Sequence, residues 1–478
     1  MRIGQTSFVA FVSKALSSVA GFAATILFAR LLGPTVLGRY YLLLSIVAWL
    51  SLAGSIGIGS AITKRMSEGD DVGEYKVAGG LVIGTIGAAI AVGLVVFQGP
   101  IEQYFDVDRI GFVVALLAVG LLGSYVDAML NGSHLVHVDA MLKVARRVAR
   151  TLLQVGGVFL SLGLTALVGG YAIGGLVLVI PGLYLVGGPY RLPQRRHFER
   201  LVEYAKYAWM GRLEGKTFQQ ADILVLGLFV PSALVGVYGI TWNVANFLII
   251  FSSSISSALF PELSKLSAED RDRQVATLVE DALSYTGLVT IPGLVGGLLL
   301  APRILRIFGE EFGRGAQVLG LLILSVLFYG YQTQFTNALG GIDRPRAAFK
   351  VNAILIVSNV TLNLVLVYFY GMIGAAVASA SSTFLSVIGG YLVLRRHVSF
   401  DTPVVQIARQ AGAALAMGAL VAAANVALAR MGNPLSNEVA TTVLISLGAG
   451  TYFVVLLSVS PDLRSVVRDN APDAVRRN

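Results

Sequence analysis

Apolar and polar positions alternate along this chain in long blocks rather than in short periods. About fourteen apolar stretches, each near 20 residues long, are separated by segments that hold almost all of the charge. A helix needs roughly 20 apolar residues to cross the hydrocarbon core of a bilayer, and lipid offers its backbone no outside partner. No stretch has the alternation of a membrane barrel strand. The pattern therefore predicts an all-α membrane protein with about 14 transmembrane helices.

The first stretch resembles a secretory signal, but Lys14 interrupts its apolar core and hydrophobicity continues to Ala29. A retained first transmembrane helix is therefore favoured over a cleaved signal. The predicted spans are 8–29, 38–61, 77–97, 110–130, 144–164, 167–187, 208–230, 235–259, 282–300, 316–338, 349–369, 372–394, 406–429 and 439–459.

Composition supports this class and excludes others. The chain is 55% hydrophobic and 13% charged, with a mean hydropathy of +0.75. It contains no cysteine, which excludes disulfides, thiolate metal sites and thiol nucleophiles. The net charge is +9, but no basic run is long or aromatic enough to predict a nucleic-acid partner.

The basic residues predict an orientation. With a cytoplasmic N-terminus, 29 of the 36 Lys and Arg residues fall in cytoplasmic segments and seven fall outside. Positive charge accumulates on the cytoplasmic side of membrane proteins, so both termini are expected there. The external connections are too short for a catalytic or receptor domain.

The first twelve spans are expected to be two copies of one unit. Gly38-Arg39-Tyr40 aligns with Gly236-Val237-Tyr238 at an offset of 198, and a proline precedes each copy, at Pro34 and at Pro231. Six spans per copy is an even number, so the pseudo-two-fold axis should run along the membrane normal. We expect one six-helix lobe at 1–200, a second at 201–400, and two additional helices with a cytoplasmic tail at 401–478.

Short motifs in both halves carry a family resemblance. They are Ala29-Arg30-Leu31-Leu32-Gly33-Pro34, Gly38-x-Tyr40, Lys64-Arg65, Ala221-Asp222, Gly236-Val237-Tyr238 and Phe260-Pro261-Glu262-Leu263-Ser264. With them the chain resembles, over essentially its whole length, the polysaccharide flippases of the multidrug/oligosaccharidyl-lipid/polysaccharide (MOP) superfamily. The resemblance implies two lobes around a central, often cationic cavity that works by alternating access. It also implies a lipid-linked oligosaccharide on a polyprenyl or dolichyl phosphate as substrate.

Charges within the predicted spans are the first candidates for a binding site, because ionisable groups are costly in lipid unless they face protein or water. Lys14 in the first helix and Arg212 with Lys216 in the seventh occupy equivalent places in the two copies. They could attract a phosphate in a cavity, or they could snorkel to the cytoplasmic interface; the cavity is favoured. Glu214 and Asp222 are candidate charge partners, and Asp222 could pair with Lys216 or Arg212 when no substrate is bound.

Other polar residues leave two interpretations each. Arg30 and Arg39 could guide substrate at the external mouth or anchor the interface. Asp127 could be a proton site or a helix-packing group. Asn243, Asn246 and Ser253 could contact sugar hydroxyls or join helices, whereas the stripe Asn352, Asn359 and Asn363 is more simply explained by helix packing.

Three functions remain at this point. The favoured one is a flippase for a lipid-linked oligosaccharide, with membrane lipids as partners and glycosyltransferases as candidate partners. The second is a cation-coupled multidrug exporter of the same superfamily, although the first helix carries Lys14 and no acid. The third is a membrane glycan polymerase or ligase, which would need a large charged external loop. No nucleotide, metal or nucleophile motif is complete, so neither a cofactor nor a metal is expected and the protein is not predicted to be an enzyme.

Overall fold

The computed structural model describes the backbone of most of the chain. These residues are 3–55, 57–105, 110–208, 210–269, 271–461 and 463–465, with their side chains except at 3–20, 103–105, 207–208, 210–212 and 257–258. All regular structure in these ranges is helical. The chain divides into two compact units, residues 1–239 and 240–478.

The first unit is built from nine helices and the start of a tenth. They are α1 (Ile3–Ser55), α2 (Ile58–Ser67), α3 (Val72–Val96), α4 (Gln98–Phe105), α5 (Ile110–Gly132), α6 (Val136–Phe159), α7 (Leu164–Val186), α8 (Arg195–Ala208), α9 (Met210–Phe229) and α10 (Ser232–Asn246).

The second unit contains the end of α10 and the remaining helices. They are α11 (Ile249–Ala268), α12 (Asp272–Arg306), a short 3-10 helix (Glu310–Gly315), α13 (Ala316–Gly341), α14 (Pro345–Leu394), α15 (Val404–Arg430) and α16 (Asn437–Val459).

Two helices contain two predicted spans each. α1 is interrupted at Gly33, where φ is 73°, and Pro34 follows directly. α14 is interrupted at Gly371, where φ is 53° and no proline follows. Glycine adopts positive φ without a Cβ penalty, and proline cannot donate the helical hydrogen bond, so these residues separate spans without a loop.

The eighth predicted span, 235–259, is divided between α10 and α11, which meet at an angle of 47°. In the described part of the chain, nine helices are long and apolar enough to cross a membrane, or ten with this bent pair. Counting both halves of α1 and α14, and adding the more polar α6 and α9, recovers the fourteen predicted spans. The predicted fold class is confirmed.

One helix was not predicted. α8 lies in the segment 188–217, which sequence patterning assigned to a cytoplasmic connection. Its Leu201 and His197 side chains are buried, while Arg195 and Glu199 form an exposed ion pair at 2.8 Å. α8 packs against α2 and α3, so this connection is an ordered part of the first unit.

Buried polar groups in the second unit join the two halves of α14. The Nδ2 atom of Asn359 lies 3.2 Å from the hydroxyls of both Ser379 and Ser382, and the Nδ2 of Asn363 donates to the Asn359 carbonyl at 3.0 Å. Both asparagines are fully buried. These contacts place two residues of the predicted Asn stripe in helix packing.

Candidate functional site

The site begins where the first unit brings its repeat motifs together. The backbones of Gly38 on α1 and Gly236 on α10 are in direct contact: a Cβ added to Gly38 would lie 2.9 Å from the Gly236 nitrogen. Only glycine allows two helices to approach this closely. The contact fixes the second half of α1 against the start of α10.

Asp222 lies on α9, the helix that directly precedes α10 in the chain. Its carboxylate is buried and accepts a hydrogen bond from the Tyr238 hydroxyl, which is itself buried. Tyr238, the tyrosine of the second motif Gly236-Val237-Tyr238, is therefore the hydrogen-bond donor to Asp222. A buried carboxylate needs such a donor, because an unpaired charge in this environment is costly.

α9 is also fixed to α1 further along its length. The Ser45 hydroxyl donates to the Gln220 carbonyl at 2.9 Å, and Leu42 packs against Gly227. On the same helix Glu214 is buried and Lys216 is half-buried. Two residues apart on a helix, these side chains lie on nearly opposite faces of α9, and neither is fully exposed.

The predicted cationic residues are not all described. The side chains of Lys14 and Arg212 lie outside the described residues. Arg30 is exposed and Arg39 is half-buried, each on α1 on either side of the Gly33 break. Two of the predicted cationic residues, Arg212 and Lys216, lie on α9, and of these only Lys216 has a described side chain.

The predicted sugar contacts lie in the second unit, at the α10–α11 bend. Asn243 and Asn246 are half-buried near the end of α10. Ser253 is exposed on α11, and its hydroxyl donates to the Ile250 carbonyl at 3.0 Å. Polar groups next to a helix break are well placed to be solvated, and their role as sugar contacts stays a prediction.

A polar face on α6 was missed by sequence reasoning. Arg150 lies about 20 Å from the start of α6, at 1.5 Å per residue. Its guanidinium stacks over the Tyr171 ring of α7, 5.2 Å from the ring centroid. One turn on, the buried Gln154 donates to the Tyr40 hydroxyl at 2.9 Å and to the Leu167 carbonyl at 2.8 Å. The face points into the first unit.

The signal for this face was present in the sequence. Lys143, Arg146, Arg150 and Gln154 recur at intervals of three or four residues, which places them on one side of a helix. The orientation count assigned the first three to the cytoplasmic side, and their helical periodicity was not considered. In the structure the opposite side of α6 exposes Val144, Val148 and Leu152, as expected for a lipid-facing surface.

Asp127 belongs to a charged cluster at the start of the same face. Lys143 lies 3.4 Å from Asp127 and 2.7 Å from Asp139, and the Asn131 amide donates to Asp139 at 2.9 Å. Burial acts to raise the pKa of Asp139, yet the hydrogen bonds from Lys143 and Asn131 outweigh it and hold that pKa below its ordinary value. Asp127 thus shares its cation with a second carboxylate.

A second cluster connects α8 to the start of α3. The Nε2 atom of His197 lies 3.1 Å from Asp71, and Arg196 lies 3.2 Å from the same carboxylate oxygen. The His197 ring also meets Tyr75 edge-on, with centroids 5.1 Å apart. The hydrogen bond from His197 holds the pKa of Asp71 below its ordinary value. This cluster fixes α8 to α3, which is one of the membrane-spanning helices.

Lys76 closes the end of α7. Its side chain is buried, and its Nζ donates to the carbonyl of Gly187 at 2.6 Å and to that of Val186 at 3.2 Å. These carbonyls end a helix and have no intrahelical donor, and a cation there also complements the helix dipole. The linker between α7 and α8 is therefore held against α3.

Interrupted helices and buried ionisable groups among the described residues are features of a multi-pass membrane transporter. The chain belongs to the polysaccharide biosynthesis protein family, whose model matches residues 27–314. The family predicted from the short motifs is therefore confirmed.

Named relatives agree with this class. The chain is 30% identical to the probable flippase AglR of Haloferax volcanii over 98% of both chains. It is 26% identical to the probable low-salt glycan biosynthesis flippase Agl15 of the same organism, over 80% of this chain and 81% of the relative.

Solved structures show the fold. The lipid II flippase MurJ in an inward closed conformation superimposes with a TM-score of 0.79 at 18% identity, over 96% of this chain and all of that chain. An inward-facing multidrug resistance MATE family transporter of the MOP superfamily gives 0.64 at 14% identity, over 80% of this chain and 94% of that one.

Proposed function

We propose that this protein moves a lipid-linked oligosaccharide, carried on a polyprenyl or dolichyl phosphate, from the cytoplasmic to the outer leaflet. The observation that carries the proposal is the end-to-end similarity to the probable flippase AglR, which covers 98% of both chains. Its biological role would be the assembly of a surface polysaccharide or glycoprotein.

The proposed cycle is alternating access between two six-helix lobes, 1–200 and 201–400, with 401–478 as additional helices. Both termini are cytoplasmic in this proposal, because the basic residues concentrate in the segments on that side. The anionic head group enters from the cytoplasm while the polyprenyl tail stays in lipid. Glycosyltransferases that build the oligosaccharide are the proposed neighbours.

Phosphate recognition in this proposal uses basic residues on the membrane-spanning helices. A guanidinium binds a phosphate with two parallel hydrogen bonds, and such charge-assisted bonds are stronger where water is scarce. Lys216 on α9 remains a candidate, as do Lys14, Arg212, Arg30 and Arg39. Arg150 on α6, whose guanidinium stacks over the Tyr171 ring inside the first unit, is a further candidate.

A reconstituted flipping assay tests the proposal. Proteoliposomes would receive a fluorescent lipid-linked oligosaccharide in one leaflet, and a membrane-impermeant quencher would report its transfer. We expect Arg150→Gln and Lys216→Gln to slow transfer at least tenfold. Arg147→Gln is the matched control, because Arg147 is exposed on the same helix.

The charge-reversed pair Lys14→Glu with Arg212→Glu tests the cavity prediction in cells. Unchanged glycan export by this variant would contradict an anion-binding cavity at these residues. Absence of lipid-linked oligosaccharide transfer by the wild-type protein, combined with ion-gradient-driven efflux of organic cations, would instead favour the multidrug exporter, the function of the second structural relative.

A further inference from the structure

The two halves of α14 bring four arginines together at one end of this helix pair. The halves run antiparallel, because Asn359 contacts Ser382, whereas Val351, two turns earlier, accepts a hydrogen bond from Ser386, one turn later. This register places the first turn of α14 level with its last turn. The four arginines at these turns, which we call the α14 arginine surface, are Arg344, Arg346, Arg395 and Arg396.

The charge of this surface is not neutralised by the protein. All four arginines are exposed, and Asp343 is the one acidic residue in the segments 343–350 and 395–397. Among the described residues, three of the arginines form no ion pair with a carboxylate. The fourth, Arg395, donates to the Tyr391 hydroxyl at 2.7 Å and stacks over the same ring. Clustered charge of one sign attracts counter-ions, so the surface favours an anion.

An exposed apolar surface begins one turn from these arginines. Phe349 follows Arg346 by three residues and Leu392 precedes Arg396 by four, so each pair shares a helix face. Phe349 is 39% exposed and Leu392 is 54% exposed. α14 is long and apolar enough to cross a membrane, so apolar side chains exposed along it face hydrocarbon. The surface thus changes from cationic to apolar within about 5 Å, the rise of one helical turn.

A phospholipid with an anionic headgroup has the same order of charged and apolar parts. Its phosphate lies at the membrane interface, and its acyl chains lie in the adjoining hydrocarbon. A guanidinium binds a phosphate with two parallel hydrogen bonds, and basic residues just outside a transmembrane helix are typical of anionic-lipid binding. Inorganic phosphate would match the arginines alone, because it has no apolar part to contact Phe349 and Leu392.

We propose that the α14 arginine surface binds the headgroup of one anionic phospholipid of the surrounding leaflet. Arg346 and Arg396, one from each half of α14, contact the phosphate oxygens, and Arg344 adds positive charge at the rim. Phe349 and Leu392 contact the acyl chains where they leave the headgroup. The bound lipid joins the two halves at the end opposite to the Gly371 break. This proposal is independent of the transport proposal, which uses none of these residues.

Photo-crosslinking of the full-length protein in nanodiscs tests the site at its own position. Leu385, two turns further along the second half of α14 than Leu392, is exposed. Leu385→Cys would carry a benzophenone maleimide as the sole thiol, because the chain has no cysteine. The nanodiscs contain equal amounts of phosphatidylglycerol and phosphatidylcholine with the same acyl chains, and mass spectrometry identifies the captured lipid. We expect capture of phosphatidylglycerol to be about fivefold higher or more.

Removing the charge should remove this preference. With Arg344→Gln, Arg346→Gln and Arg396→Gln added to the labelled protein, capture of the two lipids should come within about twofold, because phosphatidylcholine has no net charge to lose. The thermal unfolding midpoint verifies that the variant folds. If it does not fold, Arg396→Gln alone should at least halve the preference.

The control replaces three arginines that already have carboxylate partners. The pairs are Arg65 with Glu68, Arg195 with Glu199, and Arg271 with Glu269. Changing these three arginines to Gln removes the same charge from the chain and should leave the preference of the labelled protein unchanged.

Four results would each overturn the proposal. The first is equal capture of the two lipids by the labelled protein, and the second is an equal loss of preference in the control. The third is displacement of the lipid by inorganic phosphate at matched ionic strength, which would indicate a simple anion site. The fourth is preferential capture of a polyprenyl phosphate over phosphatidylglycerol at equal mole fraction, which would assign the surface to a carrier lipid instead.

Discussion

Gly38 and Gly236 contact each other reciprocally. A Cβ added to Gly38 would lie 1.7 Å from the Ser232 carbonyl oxygen, and one added to Gly236 would lie 1.9 Å from that of Pro34. The offset of 198 that aligns the two glycines also aligns Pro34 with Ser232. Each copy of the motif thus uses the same surface to contact the other, which is the signature of a two-fold relationship. The repeat seen in the sequence is also a physical contact.

We therefore expect Gly38→Ala and Gly236→Ala each to destabilise the protein by about 2 kcal/mol or more, because the new methyl group meets backbone that cannot move aside. The double variant should lose less than the sum of the two, since both changes disrupt one contact. Thermal unfolding in detergent measures the effect.

Gly84→Ala is the control for these glycine variants. Gly84 lies inside α3, where an added Cβ would meet nothing within 4 Å. This variant should keep or slightly raise the unfolding midpoint, because alanine favours a helix. A loss in Gly84→Ala equal to that in Gly38→Ala would contradict the role of the close contact.

Tyr238→Phe removes the hydroxyl that donates to Asp222. Since Asp222 is 4% exposed, its charge loses a donor that water does not readily replace. The expected cost is about 1–3 kcal/mol, as for other hydrogen bonds to buried charged groups. A second variant, Tyr238→Phe with Asp222→Asn, should recover part of this loss because the charge is gone.

The exposed Tyr184 provides the comparison for this bond. Tyr184→Phe changes the same atoms on the surface and should leave the unfolding midpoint unchanged. If Tyr238→Phe also left the unfolding midpoint unchanged, the hydrogen bond to Asp222 would not contribute to stability.

Asp71 predicts a pH dependence of stability. Its pKa is held below the ordinary value of an aspartate, chiefly by the hydrogen bond from His197. A carboxyl with a lower pKa in the folded than in the unfolded chain stabilises the fold above the unfolded pKa, and this contribution is lost as the pH falls through the folded pKa. Asp71→Asn should therefore be less stable than the wild type at pH 7; the difference should begin to shrink below about pH 4 and vanish once the pH is below the folded pKa.

Unfolding midpoints recorded from pH 7 downward test this prediction. Asp70→Asn is the matched control, because Asp70 is the neighbouring acid and is exposed. Its stability should follow that of the wild type at every pH. A difference between Asp71→Asn and the wild type that stayed constant across the pH range would mean that the ionised carboxylate is not its source.

Lys76→Met should free the end of α7. The carbonyls of Val186 and Gly187 would lose their donor, at a cost of about 1–3 kcal/mol for the buried groups left unpaired. We expect faster limited proteolysis within 187–194 and a lower unfolding midpoint. Lys350→Met, which replaces an exposed lysine, should change neither measurement.

The spans could be predicted from the sequence because lipid imposes a simple requirement on each of them. About 20 apolar residues and a closed backbone suffice, so block patterning located the transmembrane helices, and Gly33 and Gly371 fell at the predicted boundaries. The same patterning was unable to locate α8, since an amphipathic helix outside the bilayer has no apolar block. The depth of Asp222 in its span was evident, but its donor Tyr238 was not.

The polar face of α6 shows where prediction from charge alone stops. A run of basic residues before an apolar stretch has the composition of a loop, and its helical periodicity becomes visible only when Gln154 is read with it. Burial then distinguishes Arg150, which stacks on Tyr171, from Arg147 on the exposed side. Composition sets the class of segment, whereas packing decides which of its charges are internal.

The absence of loops at Gly33 and Gly371 has a practical consequence. A tag or reporter inserted at either position would divide a helix pair, so labels belong in the segments 188–193 and 431–436, where the chain leaves its helices. Because the natural sequence contains no cysteine, a single engineered thiol at either segment would be the sole target of a maleimide probe. No native cysteine has to be replaced before labelling, so the wild-type protein serves directly as the unlabelled control for spectroscopic distance measurements.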